Sequence, residues 1–399
     1  MSIANLSPNL EPDPPDPDAV AHELSRQFSL TAVERDRHGG TPKHERDLVR
    51  ASGLLALSIP KVFGGLGGTF AQVMRTVRRI ANADSSLAHV FGFQHLLLAT
   101  VRLFGEPSQW HKSYTETAAQ NLFWGNALNP LDPNTALVTT QGTLRIAGRK
   151  SFCSGALDSE RLVVSALRDT DSRLMVAVVP TNRKGIKALP DWDNFGQRQT
   201  DSGTVEFDNV EVANAELLTT PGPLSTPFAS LRPCIAQLIL SNVYLGIAEG
   251  AFEEARTYAL SQRRPWLASG VSQAVNDPFI QHQIGEFWVA LESSRLLNEN
   301  AAEDLDRAWT RAENLVPDER GQLAVKIATA KVASTRASLD ITTRMFDIMG
   351  ARATSAKLGM DRFFRNARTH TLHDPVDYKL KELGAFALQE TYPVPSYYS

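Results

Sequence analysis

Three long segments with helical periodicity fill most of the sequence after residue 231, and they constrain the fold more than any other feature. They cover residues 232–264, 276–311 and 318–349. In the second segment, Ile284 and Leu291 belong to an apolar set spaced at i, i+3, i+4 and i+7, which places apolar side chains on one helix face. Helices of this kind bury their apolar faces against one another, so the pattern predicts a helical bundle.

Helical periodicity also dominates the sequence before residue 120. The predicted segments are 19–36, 44–55, 70–83 and 85–104. Five prolines between residues 8 and 17 precede them. Because proline fixes its own φ and disfavours helix at the preceding residue, residues 1–17 are predicted to form an extended, disordered tail. The glycine-rich stretch at 59–68 follows a helix and lacks the GxGxxG spacing, which indicates a turn rather than a nucleotide-binding loop.

Short runs with β character occupy the middle of the chain. They lie at 137–140, 143–147, 161–166, 174–179 and 204–212. Turn signals such as Gln141-Gly142 separate the runs, as is typical of an antiparallel β-domain. The sequence therefore predicts an α+β protein, mainly α, made of an N-terminal helical domain at 18–120, a middle antiparallel β-domain at 121–222 and a C-terminal four-helix bundle at 223–399.

Charge and cysteine content exclude several classes of function. Lys and Arg number 41 against 44 Asp and Glu, so the chain has no electrostatic footprint for nucleic acid or an anionic membrane. Cys153 and Cys234 are too few for a disulfide framework or a thiolate metal site. We find no targeting peptide and no run of about 18 apolar residues. We therefore expect a cytoplasmic protein that binds neither nucleic acid nor membrane.

Several strings resemble landmarks of the acyl-CoA dehydrogenase family. They are IPKVFGGLGG (59–68), GRKSFCSGA (148–156), SGTVEFDNVEV (202–212), MGARATS (349–355) and RNARTHTLHDP (365–375). The order of helices, β-domain and long-helix bundle is also that of this family. The resemblance covers the chain from about residue 30 to 380 and implies an acyl-CoA dehydrogenase-like fold.

A narrower resemblance is to flavin-dependent monooxygenases of the dibenzothiophene monooxygenase type, which are two-component enzymes of group D. It is carried by TAVERDR (31–37), RQTDSG (198–203) and RTHTLHDPVDYK (368–379). It implies that reduced FMN and O2 form a C4a-hydroperoxyflavin that oxygenates the sulfur of dibenzothiophene, a sulfoxide or an alkanesulfinate. Since the sequence has no Rossmann fingerprint, a separate NAD(P)H:flavin reductase is expected to supply the FMN. The resemblance also implies a homotetramer.

Other functions stay open at this point. The same flavin chemistry could act on an aromatic carbon or an amine, as in indole-type hydroxylases. An FAD-dependent acyl-CoA dehydrogenase needs a carboxylate base, and Asp374 lies near one position where that family carries a glutamate. Aspartate is one methylene shorter and Pro375 follows it, which argues against dehydrogenation. A flavin-free scaffold is a further alternative.

The resemblance places Asn126, Phe152, Ser154, His370 and His373 around the flavin and the substrate. Ser154 would hydrogen-bond the flavin or its peroxide, and His373 would hold or donate the peroxide proton because imidazole titrates near neutral pH. Taken alone, Ser154 and Asn126 are equally interpretable as loop residues. The two histidines could instead be a capping or core pair, and as an HxxH pair with no third ligand they give only a weak zinc signal, so no metal is predicted.

The remaining candidates complete the predicted site. Trp124 and Trp192 would join Phe152 as apolar walls. A histidine contact from the helix at 85–104 is expected at His95, with Gln94 as the alternative, although His89 and His95 can also be core histidines. Arg264 and Arg352 would bind the FMN phosphate, one of them from a second subunit, because a guanidinium is a permanently charged bidentate donor.

Overall fold

The structure, a computed structural model, describes residues 16–261 and 264–399. Most of the predicted tail at 1–17 lies outside the described residues. The N-terminal helices are α1 (Pro17–His38), α2 (Lys43–Ala51), α3 (Phe70–Ala83), α4 (Ser85–Phe104) and α5 (Pro107–Gln120). Thr69 caps α3 by accepting from Gln72 N at 3.3 Å, and Asp84 caps α4 by accepting from Leu87 N at 3.0 Å. These caps set where both helices begin.

Seven strands form one sheet in the middle of the chain. They are β1 (Trp124–Ala127), β2 (Thr135–Thr140), β3 (Thr143–Lys150), β4 (Arg161–Arg168), β5 (Leu174–Pro180), β6 (Ile186–Ala188) and β7 (Val205–Glu211). The strand order is β1-β4-β2-β3-β7-β6, and β5 pairs with β4. Gln141 and Gly142, with φ of 53° and 78°, make the two-residue turn of the β2–β3 hairpin.

The sheet is mainly antiparallel, but it is mixed where the sequence predicts antiparallel pairing throughout. β1 and β2 both pair with β4 in parallel. β3 and the segment that follows it separate β2 from β4 in the chain and provide the crossover that parallel pairing requires, which a hairpin turn could not do. The two parallel pairings bring the end of β1 beside the loop after β3.

The C-terminal helices are α6 (Leu231–Ser261), α7 (Pro278–Arg311), α8 (Pro317–Met349), α9 (Asp361–His370) and α10 (Val376–Gln389). α6 packs against α3, α4, α7 and α8 and is the central helix of the molecule. Gly246 and Gly250 allow α6 to approach α3, because a Cβ at either position would lie within 2.5 Å of an α3 carbonyl oxygen. The predicted fold class, α+β and mainly α with helices, a sheet and then helices in that order, is confirmed.

Two helices, α4 and α6, are long and apolar enough to cross a membrane. In both, 94% of the apolar window is buried inside the protein, as in the core helices of globular domains. Their apolar character is therefore explained by packing against α3, the sheet and α8.

Candidate active site

A cavity of about 730 Å³ lies where α4, the sheet, α6 and the end of α9 meet. Its walls are mainly apolar, with Phe93 and Leu96 from α4 and Leu128 after β1. The predicted residues that the structure brings together around it are Asn126, Phe152, Ser154, Trp192, His370 and His373. A large apolar cavity into which a few polar groups converge is the usual form of a ligand site.

A chain of hydrogen bonds runs along one wall of this cavity. His370 Nε2 lies 3.0 Å from His89 Nδ1, and His89 Nε2 lies 2.9 Å from Ser154 Oγ. Ser154 Oγ lies 2.8 Å from Ser202 Oγ, which lies 2.7 Å from Thr200 Oγ1. The chain joins α9, α4 and two loops that lie far apart in the sequence.

The last acceptor of the chain fixes its direction. Thr200 donates its single hydroxyl proton to the carbonyl of Gln197 at 3.0 Å, so Ser202 must donate to Thr200 and Ser154 to Ser202. His89 then donates from Nε2 and accepts at Nδ1, which makes His370 the donor at Nε2. His370 Nδ1 is left as a buried acceptor without a partner among the described residues.

His89 and His370, the two histidines of this hydrogen-bond chain, are neutral at pH 7. Burial lowers the pKa of His89 to about 3, and burial together with the neighbouring His89 holds the pKa of His370 well below its usual range. Each imidazole therefore has one N–H donor and one acceptor nitrogen, as the direction of the hydrogen bonds requires.

His373 enters the cavity from the other side and is oriented by an ion pair. Its Nδ1 lies 3.1 Å from Asp374 Oδ1, which Lys331 Nζ also contacts at 2.5 Å. Burial alone would raise the pKa of the Asp374 carboxyl, but the His373 hydrogen bond and the Lys331 ammonium hold that pKa well below its usual range. Since a carboxylate can only accept, His373 donates from Nδ1 and presents Nε2 to other partners.

Arg46 fixes the loop that carries Ser154. Its guanidinium is fully buried, pairs with Asp158 and Asp201 at 3.1 Å each, and donates to the carbonyl of Gly155 at 3.1 Å. Phe152 precedes Ser154 with φ of 59°, a left-handed conformation that leaves its ring 61% exposed. Trp192 packs edge-on against this ring, with the ring centroids 6.0 Å apart.

Trp124, His95 and Gln94 do not reach the cavity. Trp124 lies at the start of β1, where its Nε1 donates to Thr117 Oγ1 at 2.9 Å, and only the later part of this short strand borders the cavity. Gln94 donates to two backbone carbonyls, and His95 is bonded to Ser58 Oγ at 2.8 Å. The cavity face of α4 carries residues 89, 93 and 96, so positions 94 and 95 point elsewhere.

The histidine contributed by α4 is therefore His89 rather than His95. Sequence reasoning missed it because α4 is buried on nearly every side, so that periodicity does not mark the cavity face. It also missed Thr200 and Ser202, although both lie within RQTDSG, one of the strings that carry the resemblance.

Arg264 and Arg352 are exposed and do not line the cavity of the single chain. Arg352 lies in a short 3-10 turn after α8, and Arg264 follows the two residues that the structure does not describe. Phosphate binding by these arginines, one of them across a subunit boundary, stays a prediction.

A second cavity, of about 630 Å³, lies between α1, α3, α6 and α7. Three of its charged groups pair with one another: Glu249 lies 3.1 Å from Arg295 and 3.8 Å from Arg78. The cavity lined by Ser154 is the better candidate for the active site, because the directional hydrogen-bond chain and most of the predicted residues lie there.

Family models match the chain in three consecutive parts. They are the acyl-CoA dehydrogenase N-terminal domain at residues 18–120, the middle domain at 126–210 and the C-terminal domain at 238–378. The chain belongs to the acyl-CoA dehydrogenase family. This confirms the broader resemblance that the sequence strings indicate.

Within the acyl-CoA dehydrogenase family, the chain is similar to flavin-dependent monooxygenases. It is 55% identical over 382 residues to the Probable FMNH2-dependent monooxygenase SfnC of Pseudomonas putida, covering 96% of this chain and 97% of that protein. The methanesulfinate monooxygenase MsuC of Pseudomonas fluorescens has a TM-score of 0.95 and 56% identity, with coverage of 96% and 100%. FMN-bound TdsC of Paenibacillus sp. A11-2 has a TM-score of 0.92 and 42% identity, with coverage of 96% and 100%. The narrower resemblance is confirmed as well.

The cavity of this family member fits a flavin. Phe152 and Trp192 offer apolar surface to a planar ring, and the unpartnered Nδ1 of His370 offers an acceptor to a polar group on it. The volume of about 730 Å³ lies within the range of sites for ligands of cofactor size.

Proposed function

We propose that the protein is a two-component monooxygenase that uses reduced FMN and O2 to add one oxygen atom to the sulfur of an organosulfur compound. The observation that carries this proposal is the neutral hydrogen-bond chain from His370 through His89 to Ser154, set in a mainly apolar cavity. When bound, reduced FMN supplies the electrons that activate O2, and the overall reaction yields oxidised FMN, water and the oxygenated sulfur. The names of SfnC, MsuC and FMN-bound TdsC support the same cofactor and substrate class.

The residues of the cavity would have different roles in binding and proton transfer. Phe152 and Trp192 would hold the flavin ring, while Asn126 and Ser154 would orient its polar edge. The neutral chain behind Ser154 has no acidic proton to release at pH 7, and the apolar walls limit water, so the cavity disfavours loss of oxygen as H2O2. His373 would exchange a proton at Nε2, because Nδ1 is committed to Asp374.

The geometry argues against an acyl-CoA dehydrogenase reaction at this site. Asp374, the nearest equivalent of a catalytic carboxylate, is held by Lys331 and His373 behind the cavity wall. Among the described residues that line the cavity, the one carboxylate is Asp132, whose side chain already accepts from Ser151 N and Asn134 N. No free carboxylate among the described residues is therefore placed to remove a proton from a thioester.

The proposal includes a partner enzyme, an assembly and a compartment. A separate NAD(P)H:flavin reductase would supply the reduced FMN. A homotetramer is supported by Phe279, Val289 and Leu296 on α7, whose side chains are 64–79% exposed and which a second copy of the chain could cover. A cytoplasmic location is supported by two free, buried cysteines.

An isotope experiment tests the proposed function. The purified protein would receive FMN, a flavin reductase, NADH and ¹⁸O2, together with sulfides, sulfoxides, sulfinates, indole and an acyl-CoA. We expect one ¹⁸O atom in a sulfur product, detected by mass spectrometry. Incorporation of ¹⁸O into indole alone would show that the protein oxygenates an aromatic carbon instead of sulfur. Oxidation of the acyl-CoA without oxygen incorporation would overturn the proposal.

A further inference from the structure

Arg232 is a buried cation in the wall of the active-site cavity without a carboxylate partner. It is the second residue of α6, is 6% exposed and lines the same cavity as Ser154 and His370. Its Nε donates to Thr100 Oγ1 at 3.1 Å, since the Thr100 hydroxyl proton is used by the carbonyl of Leu96. The other N–H groups of the guanidinium have no acceptor within residues 16–261 and 264–399.

The charge of Arg232 persists despite its burial. Burial lowers the pKa of Arg232 to about 10, which still leaves the guanidinium protonated at pH 7. A cation at the first turn of a helix also meets the positive end of the helix dipole, so the position of Arg232 on α6 does not offset the cost of burying its charge. An unpaired buried charge is costly, which makes a negative ligand the natural partner.

The other ionisable groups around the cavity do not neutralise the charge of Arg232. Tyr397 and Tyr398 lie beside the guanidinium, and burial raises the pKa of both phenols, so they are neutral at pH 7. Asp132 also lines the cavity, but its carboxylate is held by backbone N–H groups of Ser151 and Asn134. In the part of the chain that the structure describes, no other permanently charged side chain lines this cavity.

We propose that Arg232 binds the anionic head of the substrate, which makes the preferred substrate an alkanesulfinate rather than a neutral thiophene or sulfoxide. This inference rests on the proposed function and specifies its substrate class. A guanidinium can donate two parallel hydrogen bonds to the two sulfinate oxygens. The sulfur lone pair then points away from Arg232, and the adjoining apolar wall accepts the short alkyl group.

The resulting reaction balances. The sulfinate sulfur gives its lone pair to one oxygen atom of O2 and becomes a sulfonate, so that sulfur loses two electrons. The second oxygen atom becomes water with two electrons and two protons, which reduced FMN and the solvent supply. Substrate and product carry the same single negative charge, so the Arg232 pairing holds throughout and the product sulfonate acts as a competitive ligand.

Binding of two unreactive, nearly isosteric probes tests this inference without turnover. Methanesulfonate carries the negative charge and dimethyl sulfone does not. Each would be titrated calorimetrically into the full chain with oxidised FMN bound. We expect methanesulfonate to bind at least about tenfold more tightly than dimethyl sulfone, since a hydrogen bond to a charged group contributes roughly 1.5–3 kcal/mol.

Two variants and a control assign the effect to Arg232. Arg232→Gln should weaken methanesulfonate binding at least about tenfold and leave dimethyl sulfone and FMN affinities unchanged. Arg232→Lys keeps the charge and should retain part of the affinity for methanesulfonate. This variant tests the assignment to Arg232 if Arg232→Gln does not fold. Arg102→Gln removes a positive charge outside the cavity lining and should change neither probe.

Equal binding of the two probes, or unchanged methanesulfonate binding in both Arg232 variants, would overturn the inference. So would a loss of FMN affinity in Arg232→Gln, because the arginine would then serve the cofactor phosphate. The proposed function fails separately. If neutral sulfur compounds are oxygenated while sulfinates are not, the monooxygenase proposal stands and the anion site falls. If methanesulfonate binding depends on Arg232 but no sulfur compound is oxygenated, the anion site stands and the monooxygenase proposal falls.

Discussion

His370 Nε2 lies 3.0 Å from His89 Nδ1, and this contact joins the end of α9 to the middle of α4 across the wall of the cavity. Tyr244 supports it from α6 by donating its hydroxyl proton to the carbonyl of His370 at 2.9 Å. Because both imidazoles are neutral, the pair can orient Ser154 without supplying an acidic proton. The function of the two rings is therefore predicted to be retention of the activated oxygen rather than proton delivery.

The first prediction concerns His89. His89→Phe removes the donor to Ser154 and the acceptor for His370 while keeping a ring of similar size. We expect FMN binding to persist and the ratio of H2O2 released to substrate oxygenated to rise by about 10²-fold, as for loss of one positioned hydrogen-bond donor. The measurement is peroxide and product formation per NADH consumed.

His95→Phe is the matched control for this experiment, because His95 is equally buried on the same helix but bonds Ser58 outside the cavity. It should leave the ratio of peroxide to product unchanged. Equal uncoupling in both variants would show that the effect comes from damage to α4 and not from the chain to Ser154.

The second prediction concerns stability at acid pH. Burial lowers the pKa of His89 and of His95 to about 3, whereas the unfolded chain binds these protons near pH 6.5. Lowering the pH from 6.5 towards 3 therefore favours the unfolded state, and each histidine reduces the free energy of unfolding by about 1.4 kcal/mol per pH unit in that window. Urea unfolding between pH 4 and 6 measures the slope.

His95→Gln should reduce this slope by about 1.4 kcal/mol per pH unit, since glutamine cannot take up a proton. A surface variant, His282→Gln, removes an exposed histidine and is the control for the loss of one imidazole. An unaltered slope in His95→Gln would mean that this ring is already protonated in the folded protein.

How much the sequence alone could predict depends on the length and periodicity of each element. α3 and α4 were predictable to the residue because Thr69, Asp84 and Gly105 mark their ends. β1 and β6 have four and three residues, too few to show alternation, and no pattern predicted them. The mixed sheet could not be inferred, since pairing direction depends on the crossover path.

The site was predictable only where resemblance supplied it. Ser154, His370 and His373 lie in strings shared with the family, and the structure places them around one cavity. Arg232 and His89 lie in helices that are buried on nearly every side, so their orientation becomes visible only after packing. Buried partners of this kind depend on contacts between residues more than 100 positions apart.

The third prediction concerns the backbone of Phe152. Its φ of 59° costs about 1–2 kcal/mol for a residue with a Cβ, and its ring is too exposed to offset that cost by burial. Phe152→Gly and Phe152→Ala both remove the ring and should both weaken FMN binding. Of the two, the glycine variant should be the more stable by about 1 kcal/mol, because only glycine adopts this φ without strain.

Chemical unfolding gives the free energies for this pair, and flavin fluorescence gives the affinities. Equal stability of the two variants would show that residue 152 is not held in the left-handed region. Unchanged FMN affinity in both would remove the ring from the flavin site while leaving the backbone argument intact.

The fourth prediction compares two buried arginines with opposite surroundings. Arg46 is fully buried and pairs with Asp158 and Asp201, and Asp158 also pairs with Arg50, so Arg46→Met leaves the buried carboxylate of Asp201 without its cation. We expect the free energy of unfolding to fall by about 3–5 kcal/mol. Arg232 has no such partner among the described residues, so Arg232→Met strands no carboxylate and removes an uncompensated charge.

Arg232→Met should therefore unfold at the same temperature as the wild type or a higher one when no anion is present. Adding methanesulfonate should raise the melting temperature of the wild type and leave that of Arg232→Met unchanged, since a ligand stabilises only the state that binds it. Differential scanning calorimetry with and without the anion measures both effects. A large loss of stability in anion-free Arg232→Met would show that Arg232 has a structural partner and that its charge is not held for a ligand.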